Sequence, residues 1–394
     1  MQGLGETTAM LARLRRSMPG GLDAGVALPD VMVETESFGE NPGALRMLSY
    51  APSSLPPGSP LVVVLHGCTQ NGQGYALDAG WIALADRLGF AVLAPEQRAS
   101  NNLNRCFNWF EPGDIQPGRG EAASIATMVA AALAAHEGDP RRVYVTGLSA
   151  GGAMSAVMLA AYPELFAGGA IIAGLPYGVA CGAPDALRVM SQGDGRSGAA
   201  LGALVGRRTH QPLRLSIWHG DADHTVNRAN ARNLVDQWTA ATGLGVGSAQ
   251  VERLNGYTRS LWHGEAGGSM IELNIVHGLG HGAPLSTREA DGVGRIAPYM
   301  LETGISSTVE IARFWGVDAG AAQSLAAADH DSAEAARLGI EASGEAWAAR
   351  PEGAVASGRS SGLAAQVLDA VSSHVPADVR AVIAKALRAA GLMN

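Results

Sequence analysis

Short apolar runs suited to strands alternate with Ala- and Leu-rich segments suited to helices from Val31 to about Gly316. The predicted strands are Val31–Glu36, Leu45–Tyr50, Leu61–His66, Phe90–Ala94, Val143–Thr146, Gly169–Ala173, Leu213–His219 and Met270–Val276. The predicted helices are Ala79–Leu88, Gly120–His136, Ala150–Tyr162 and Asn227–Ala240. Such alternation predicts a mostly parallel sheet with helices on both faces. Outside this stretch the pattern changes. Leu4, Leu11, Leu14 and Met18 fall at helical spacing, so residues 1–30 are expected to form a short helical segment ahead of the domain at 31–316. Residues 317–360 are Ala-rich and acidic and read as a linker. In 361–394 two short amphipathic patterns (Leu363, Val367 and Val371; Val379, Val382, Ile383 and Leu387) flank Pro376 and predict a small helical tail.

One segment inside the alternating region carries a chemical question. Gly147-Leu-Ser-Ala-Gly151 is a G-x-S-x-G pattern, but the chain has 52 Gly and the pattern recurs at Gly358–Gly362 as GRSSG. Context separates the copies. The first follows the β-rich run Val143–Thr146 and opens the helical run Ala150–Tyr162, which is free of Pro until Pro163. Strand, Gly-flanked turn and helix form the setting a nucleophile elbow requires. The second copy has no strand before it and reads as linker. Ser149 is therefore the candidate nucleophile.

Composition narrows the classes. Hydrophobic residues make up 47% of the 394, enough for a large core. The net charge is −8 with Lys385 the only lysine, and no basic stripe appears, so nucleic-acid binding is not expected. No run of 18 apolar residues appears, so no membrane span is expected. No continuous apolar leader with a small-residue cleavage site is visible, which leaves the compartment undecided between the cytoplasm and outside. The three Cys (Cys68, Cys106 and Cys181) leave room for one bridge and a free thiol. No paired metal-ligand spacing, P-loop or dinucleotide fingerprint is present, and no cofactor is expected.

Acyl transfer needs a base, an acid to orient it and donors for the oxyanion. After the strand Leu213–His219 comes His219-Gly-Asp-Ala-Asp-His-Thr-Val226, which offers Asp221 and Asp223. Asp223 lies further past the strand end, where the loop can turn toward a neighbour. The alternative is that either Asp merely caps the helix near Asn227. After Met270–Val276 comes His277-Gly-Leu-Gly-His281. His277 directly follows the strand and reads as a structural hydrogen-bonder. His281, bracketed by Gly280 and Gly282, has the freedom to reach across the sheet and is the favoured base. The resulting order, Ser149, Asp223, His281, is that of α/β-hydrolases. The loop His66-Gly67-Cys68 after a buried strand would supply one oxyanion donor, the Cys68 N–H, and Ala150 the other. His66 reads as a brace of that loop.

Six separated motifs then agree in order: Leu65–Gln70 (LHGCTQ), Asn104–Phe110 (NRCFNWF), Thr146–Met154 (TGLSAGGAM), Trp218–Val226 (WHGDADHTV), Gly278–Leu285 (GLGHGAPL) and Gly304–Gly316 (GISSTVEIARFWG). Together they resemble the poly(3-hydroxybutyrate) depolymerase family of serine esterases. These are α/β-hydrolases acting on short-chain polyhydroxyalkanoates, with feruloyl and acetylxylan esterases in the wider group. The resemblance implies Ser149 as nucleophile, Asp223 as acid and His281 as base, a polyester or oligoester substrate, and a Cys68–Cys106 bridge. The alternatives are a feruloyl- or acetylxylan-type carbohydrate esterase and, in another class, a non-catalytic protein of polymer granules or partner surfaces using the helical tail. Secreted members of the family usually carry a leader and often a polymer-binding module, and neither is visible here. An ester chain with apolar stems calls for an apolar groove. Phe107, Trp109 and Phe110 cluster in one loop region and Trp262 precedes the His281 loop, so Trp109 and Trp262 are expected either to line the substrate groove or to cover the sheet edge as core.

Overall fold

A computed structural model describes residues 30–206, 212–244, 249–264, 270–288 and 292–317. The expectations for the segment before Asp30, for the linker and helical tail after Val317, and for the second G-x-S-x-G pattern lie outside these residues.

Among the described residues ten strands form one sheet: β1 (Val33–Thr35), β2 (Arg46–Tyr50), β3 (Leu61–Leu65), β4 (Ala91–Glu96), β5 (Val143–Leu148), β6 (Gly168–Ile172), β7 (Arg214–Gly220), β8 (Gln250–Leu254), β9 (Tyr257–His263) and β10 (Met270–Val276). Their order is β1-β2-β4-β3-β5-β6-β7-β10-β9-β8. From β4 to β10 every neighbouring pair is parallel, and antiparallel strands flank this centre on both sides. The central strands are apolar throughout because both faces are covered; all of β3 and β5 is buried. A small second pair joins β11 (Ala283–Leu285) to β12 (Met300–Glu302).

Helices pack on the two faces. One layer of core takes its side chains from α3 (Gly120–Ala135), α4 (Ala150–Ala161), α5 (Ala183–Gln192), α6 (Gly198–Val205) and α7 (Ala229–Thr242). The other takes them from α1 (Gly72–Asp78), α2 (Trp81–Leu88) and α8 (Ser307–Trp315), where Trp315 stacks between Trp81 and Tyr144 at ring separations of 5.9 and 4.9 Å. Among the described residues no helix is long and apolar enough to cross a membrane.

The start of helix α4 lies closer to strands β3 and β5 than any side chain allows. A Cβ on Gly151 would lie 2.0 Å from the carbonyl oxygen of Leu65, and one on Gly147 would lie 2.4 Å from the backbone of Gly151. Backbone cannot yield as a side-chain tip can, so Gly151→Ala is expected to cost about 3 kcal/mol or more. Gly113→Ala, where nothing lies within 4 Å, is the control and should leave the melting temperature near wild type. Equal melting temperatures for the two variants would contradict this account of the crossing.

Candidate active site

Ser149 sits at the turn from β5 into α4 with φ 57° and ψ −116°, a strained conformation for a residue with a side chain. Two backbone hydrogen bonds and two glycines hold it there. Its N–H donates to Ile172 O at 2.9 Å, its carbonyl accepts from Ala153 N–H at 2.9 Å, and the glycines on either side permit the close crossing described above. The strain lifts the hydroxyl off the end of the sheet.

His281 reaches this hydroxyl from the loop after β10. Its Nε2 lies 2.9 Å from Ser149 Oγ, and its Nδ1 lies 2.8 Å from Asp223 Oδ2. Asp223 comes from the loop after β7, and its Oδ1 accepts the N–H groups of Thr225 at 2.8 Å and Val226 at 2.9 Å. Burial pushes the Asp223 carboxyl up, but its bond to His281, the nearby imidazoles and the Val226 N–H outweigh that and hold it below the usual carboxylate range. An anionic Asp223 accepts the Nδ1–H, which leaves the unprotonated Nε2 of His281 facing the serine O–H. Sequence reasoning named all three residues, and the structure brings them into one hydrogen-bonded line. It separates Asp221 and His277 from that line and pairs them with each other.

A second imidazole lies behind Asp223. His219 is fully buried, with Nε2 2.8 Å from Val226 O and 3.6 Å from Asp223 Oδ2. Burial pushes its pKa down, so it stays neutral and donates to the Val226 carbonyl. Its position in His219-Gly-Asp marks it only as the last residues of a strand, and nothing in the sequence points to this contact.

The loop after β3 closes the other side of the serine. A Cβ on Gly67 would lie 3.7 Å from Ser149 Cβ, which places this backbone against the nucleophile candidate. Gln70 braces the loop, accepting the Gly67 N–H at 2.8 Å through Oε1. The Cys68 N–H has no acceptor among the described residues, and the Ala150 N–H opens helix α4, where the first N–H groups have no intrahelical partner. A disulfide joins Cys68 to Cys106 and ties the loop to the segment after β4. Cys181 is free and exposed. A thiol titration of the denatured, unreduced protein is expected to find one free thiol per chain; three would exclude the bridge.

His66 is the buried post of this loop. Its Nε2 accepts the Gln97 N–H at 3.1 Å and its Nδ1–H donates to Gly67 O at 2.8 Å, a pattern that only the neutral ring can make. Burial pushes its pKa down to about 4, against the pull of the Gly67 carbonyl. A depressed folded-state pKa gives stability that is present above about pH 6.5 and is lost as pH falls toward 4, a window worth about 3 kcal/mol. In thermal melts from pH 7 to 4, His66→Asn is expected to lose less melting temperature than the wild type. Parallel curves for the two would contradict this role.

The aromatic residues expected at a substrate groove are buried. Trp109 and Trp262 are only 4% and 3% exposed and belong to the core. Trp109 packs edge-on against Phe110, and Trp262 sits on β9 opposite Ile271. The groove-lining reading is therefore corrected in favour of the core one: rings of this size are held out of water where the sheet offers apolar neighbours. Phe107, also buried, lies 4.9 Å from the His66 ring and so supports the loop beside Ser149. The aromatic group that does stand beside the site is Tyr299. It is half-buried, has a φ of 66°, and meets the His281 ring edge-on at 6.0 Å. Its sequence setting, Ala297-Pro-Tyr299, gave no signal of that place. Among the described residues no group of three His, Cys, Asp or Glu is arranged to hold a metal ion.

The model of the family described as esterase PHB depolymerase matches residues 48–261, more than half of the chain. The chain belongs to that family. A poly(3-hydroxyalkanoate) depolymerase C of Paucimonas lemoignei is 41% identical over 292 residues, covering 73% of this chain and 70% of that protein. A feruloyl esterase B of Talaromyces funiculosus is 31% identical over 271 residues, covering 66% of this chain and 75% of that protein. The solved structure of an acetyl xylan esterase from Aspergillus awamori superposes with a TM-score of 0.61 at 24% identity, over 73% of this chain and 99% of that one. This member of the PHB depolymerase esterase family is a carboxylic ester hydrolase with the α/β-hydrolase fold. In the esterase, Ser149 and Asp223 lie inside the matched span and His281 lies beyond it.

Proposed function

We propose that the esterase cleaves short-chain poly(3-hydroxyalkanoate), poly(3-hydroxybutyrate) or its oligomers, through an acyl-enzyme on Ser149. The observation that carries the mechanism is the line Ser149–His281–Asp223, with separations of 2.9 and 2.8 Å. Ser149 Oγ attacks the ester carbonyl while His281 Nε2 takes its proton. Asp223 holds the imidazole in the tautomer this needs and stabilises the imidazolium. The N–H groups of Cys68 and Ala150 donate to the carbonyl oxygen as it becomes an oxyanion. The C–O bond of the ester then breaks, and His281 returns its proton to the departing alkoxide. A water, deprotonated by the same imidazole, attacks the acyl carbon, and Ser149 leaves as the free hydroxyl with the hydroxy acid as product.

The polyester reading is supported by the 41% identity to a poly(3-hydroxyalkanoate) depolymerase across 70% of that protein. A carbohydrate ester is the second reading, supported by the 31% identity to a feruloyl esterase. One assay compares the two: poly(3-hydroxybutyrate) film, soluble 3-hydroxybutyrate trimer and feruloylated xylan are each incubated with the enzyme and the acids released are separated and identified. The polyester reading expects 3-hydroxybutyrate and its dimer from film or trimer. Ferulate release with no hydroxy acid from either polyester substrate would overturn it.

A further inference from the structure

Asp221 and His277 stand outside the line through Ser149, yet they form a second hydrogen-bonded set a few residues away. Strands β7 and β10 are parallel neighbours, with Gly220 opposite Val276. The chain leaves both strands at the same level. There the Asp221 N–H donates to Val276 O at 3.1 Å and the Ala222 N–H to Leu279 O at 3.1 Å. The Asp221 side chain reaches back over the same gap. Its Oδ1 accepts the Gly278 N–H at 2.7 Å, and its Oδ2 lies 3.1 Å from His277 Nδ1. His277 is tied on its other side: its N–H donates to Gly256 O at 2.9 Å, and its Nε2 lies 3.1 Å from Thr258 Oγ1. Asp221 thus bonds the loop that carries Asp223 to the loop that carries His281.

That loop needs an outside fixing. Between the clamp and His281 stand only Leu279 and Gly280. Gly278 has a φ of 72°, and no neighbour lies within 4 Å of where a Gly280 Cβ would be. Leu279 is buried and pins the loop from the core side; the Asp221 carboxylate pins it from the solvent side, where the His277 side chain is 54% exposed. A loop held at one point can pivot, whereas a loop held at two keeps the imidazole where the Ser149 and Asp223 distances require.

We propose that Asp221 is a positioning residue: its carboxylate clamps Gly278 and His277 and so sets the approach of His281 to Ser149 and Asp223. This rests on the proposed roles of those three residues. Because the acceptor for Gly278 N–H is what fixes the loop, Asp221→Asn should preserve the clamp. Its amide oxygen keeps the Gly278 bond, and its NH2 can face a His277 ring protonated on Nε2 and donating to Thr258. Asp221→Ala removes both arms.

The test uses the full chain and two readouts, kinetics on p-nitrophenyl butyrate and amide hydrogen exchange of the peptide covering residues 277–282. Asp221→Ala is expected to lower kcat about tenfold with KM within about twofold, and to speed exchange of that peptide about tenfold, while Asp221→Asn stays within about threefold of wild type in both. His277→Ala, which takes away one arm and serves if Asp221→Ala does not fold, is expected to cost about threefold in kcat. Wild-type kcat and exchange in the Ala variants overturn the proposal, and so does an Asn variant as impaired as Asp221→Ala, which would assign the effect to charge. A wild-type enzyme that left the ester intact would defeat the catalytic reading instead, and the exchange comparison would still decide the clamp.

Discussion

Ser149→Ala is expected to abolish ester turnover, lowering kcat by about 10⁴ to 10⁶ while KM for a soluble ester changes little. The loss is this large because, in the proposed reaction, the Ser149 oxygen is the only atom of the line that bonds to the acyl carbon. The other parts can bind and polarise an ester but have nothing to transfer it to. The fold should tolerate the change. The backbone strain at Ser149 is held by bonds to the Ile172 carbonyl and from the Ala153 N–H that do not involve the side chain, and Ala at φ 57° bears about the same steric cost as Ser. Melting temperature and, where the polymer is the substrate, adsorption to film are therefore expected near wild type. A variant that retained more than a trace of kcat would remove Ser149 from the reaction. One that lost activity only together with its melting transition would show a structural serine.

His281→Ala is expected to be comparably damaging, by about 10⁴ or more in kcat, whereas His277→Ala should lose only about threefold. The two histidines are four residues apart on one loop, and geometry distinguishes them. His281 bridges Ser149 and Asp223 with a side chain only 10% exposed, while His277 bridges Asp221 and Thr258 at the surface. Without His281 the serine O–H has no acceptor for its proton, and Asp223 is left with its negative charge largely buried. Measured kcat on p-nitrophenyl butyrate decides between them. A His277→Ala variant that is dead beside an active His281→Ala variant would reverse the assignment of the base.

The parts of the fold that were legible in the sequence are those whose signal is local. The buried central strands read directly as apolar runs, and the Ser149 turn could be told from its copy because strand and helix flank one and not the other. Helix α4 is Ala-rich from its first residue, and the structure places it within a residue of the expected bounds. The β8–β9 hairpin was missed, although Asn255-Gly256 between two alternating runs is a recognisable two-residue turn signal. Helices α1, α5, α6 and α8 were missed because Gly, Pro and polar residues crowd their ends, and the same residues also describe loops. At the site, the order of Ser, Asp and His after successive strands was readable, since each needs only a strand end and a flexible loop. Tyr299 and His219 were not. Each reaches the site through a tertiary contact, with the His281 ring or the Val226 carbonyl, that no pattern along the chain encodes. The tryptophans failed for the opposite reason. Aromatic residues in a loop suggest a binding surface, but Trp109 and Trp262 have apolar neighbours on the sheet and are buried by them.

The claim on which the rest stands is that Ser149 forms a covalent bond with the acyl or phosphonyl centre presented to it. The direct measurement is to inactivate the enzyme with a p-nitrophenyl alkylphosphonate, follow released p-nitrophenol against residual activity, and map the adduct by mass spectrometry of the digested chain. One adduct per chain is expected, on the peptide containing Ser149, with activity lost in proportion and no labelling of Ser149→Ala. An adduct on any other residue that tracks the loss of activity, or full activity in a chain labelled at Ser149, would contradict it.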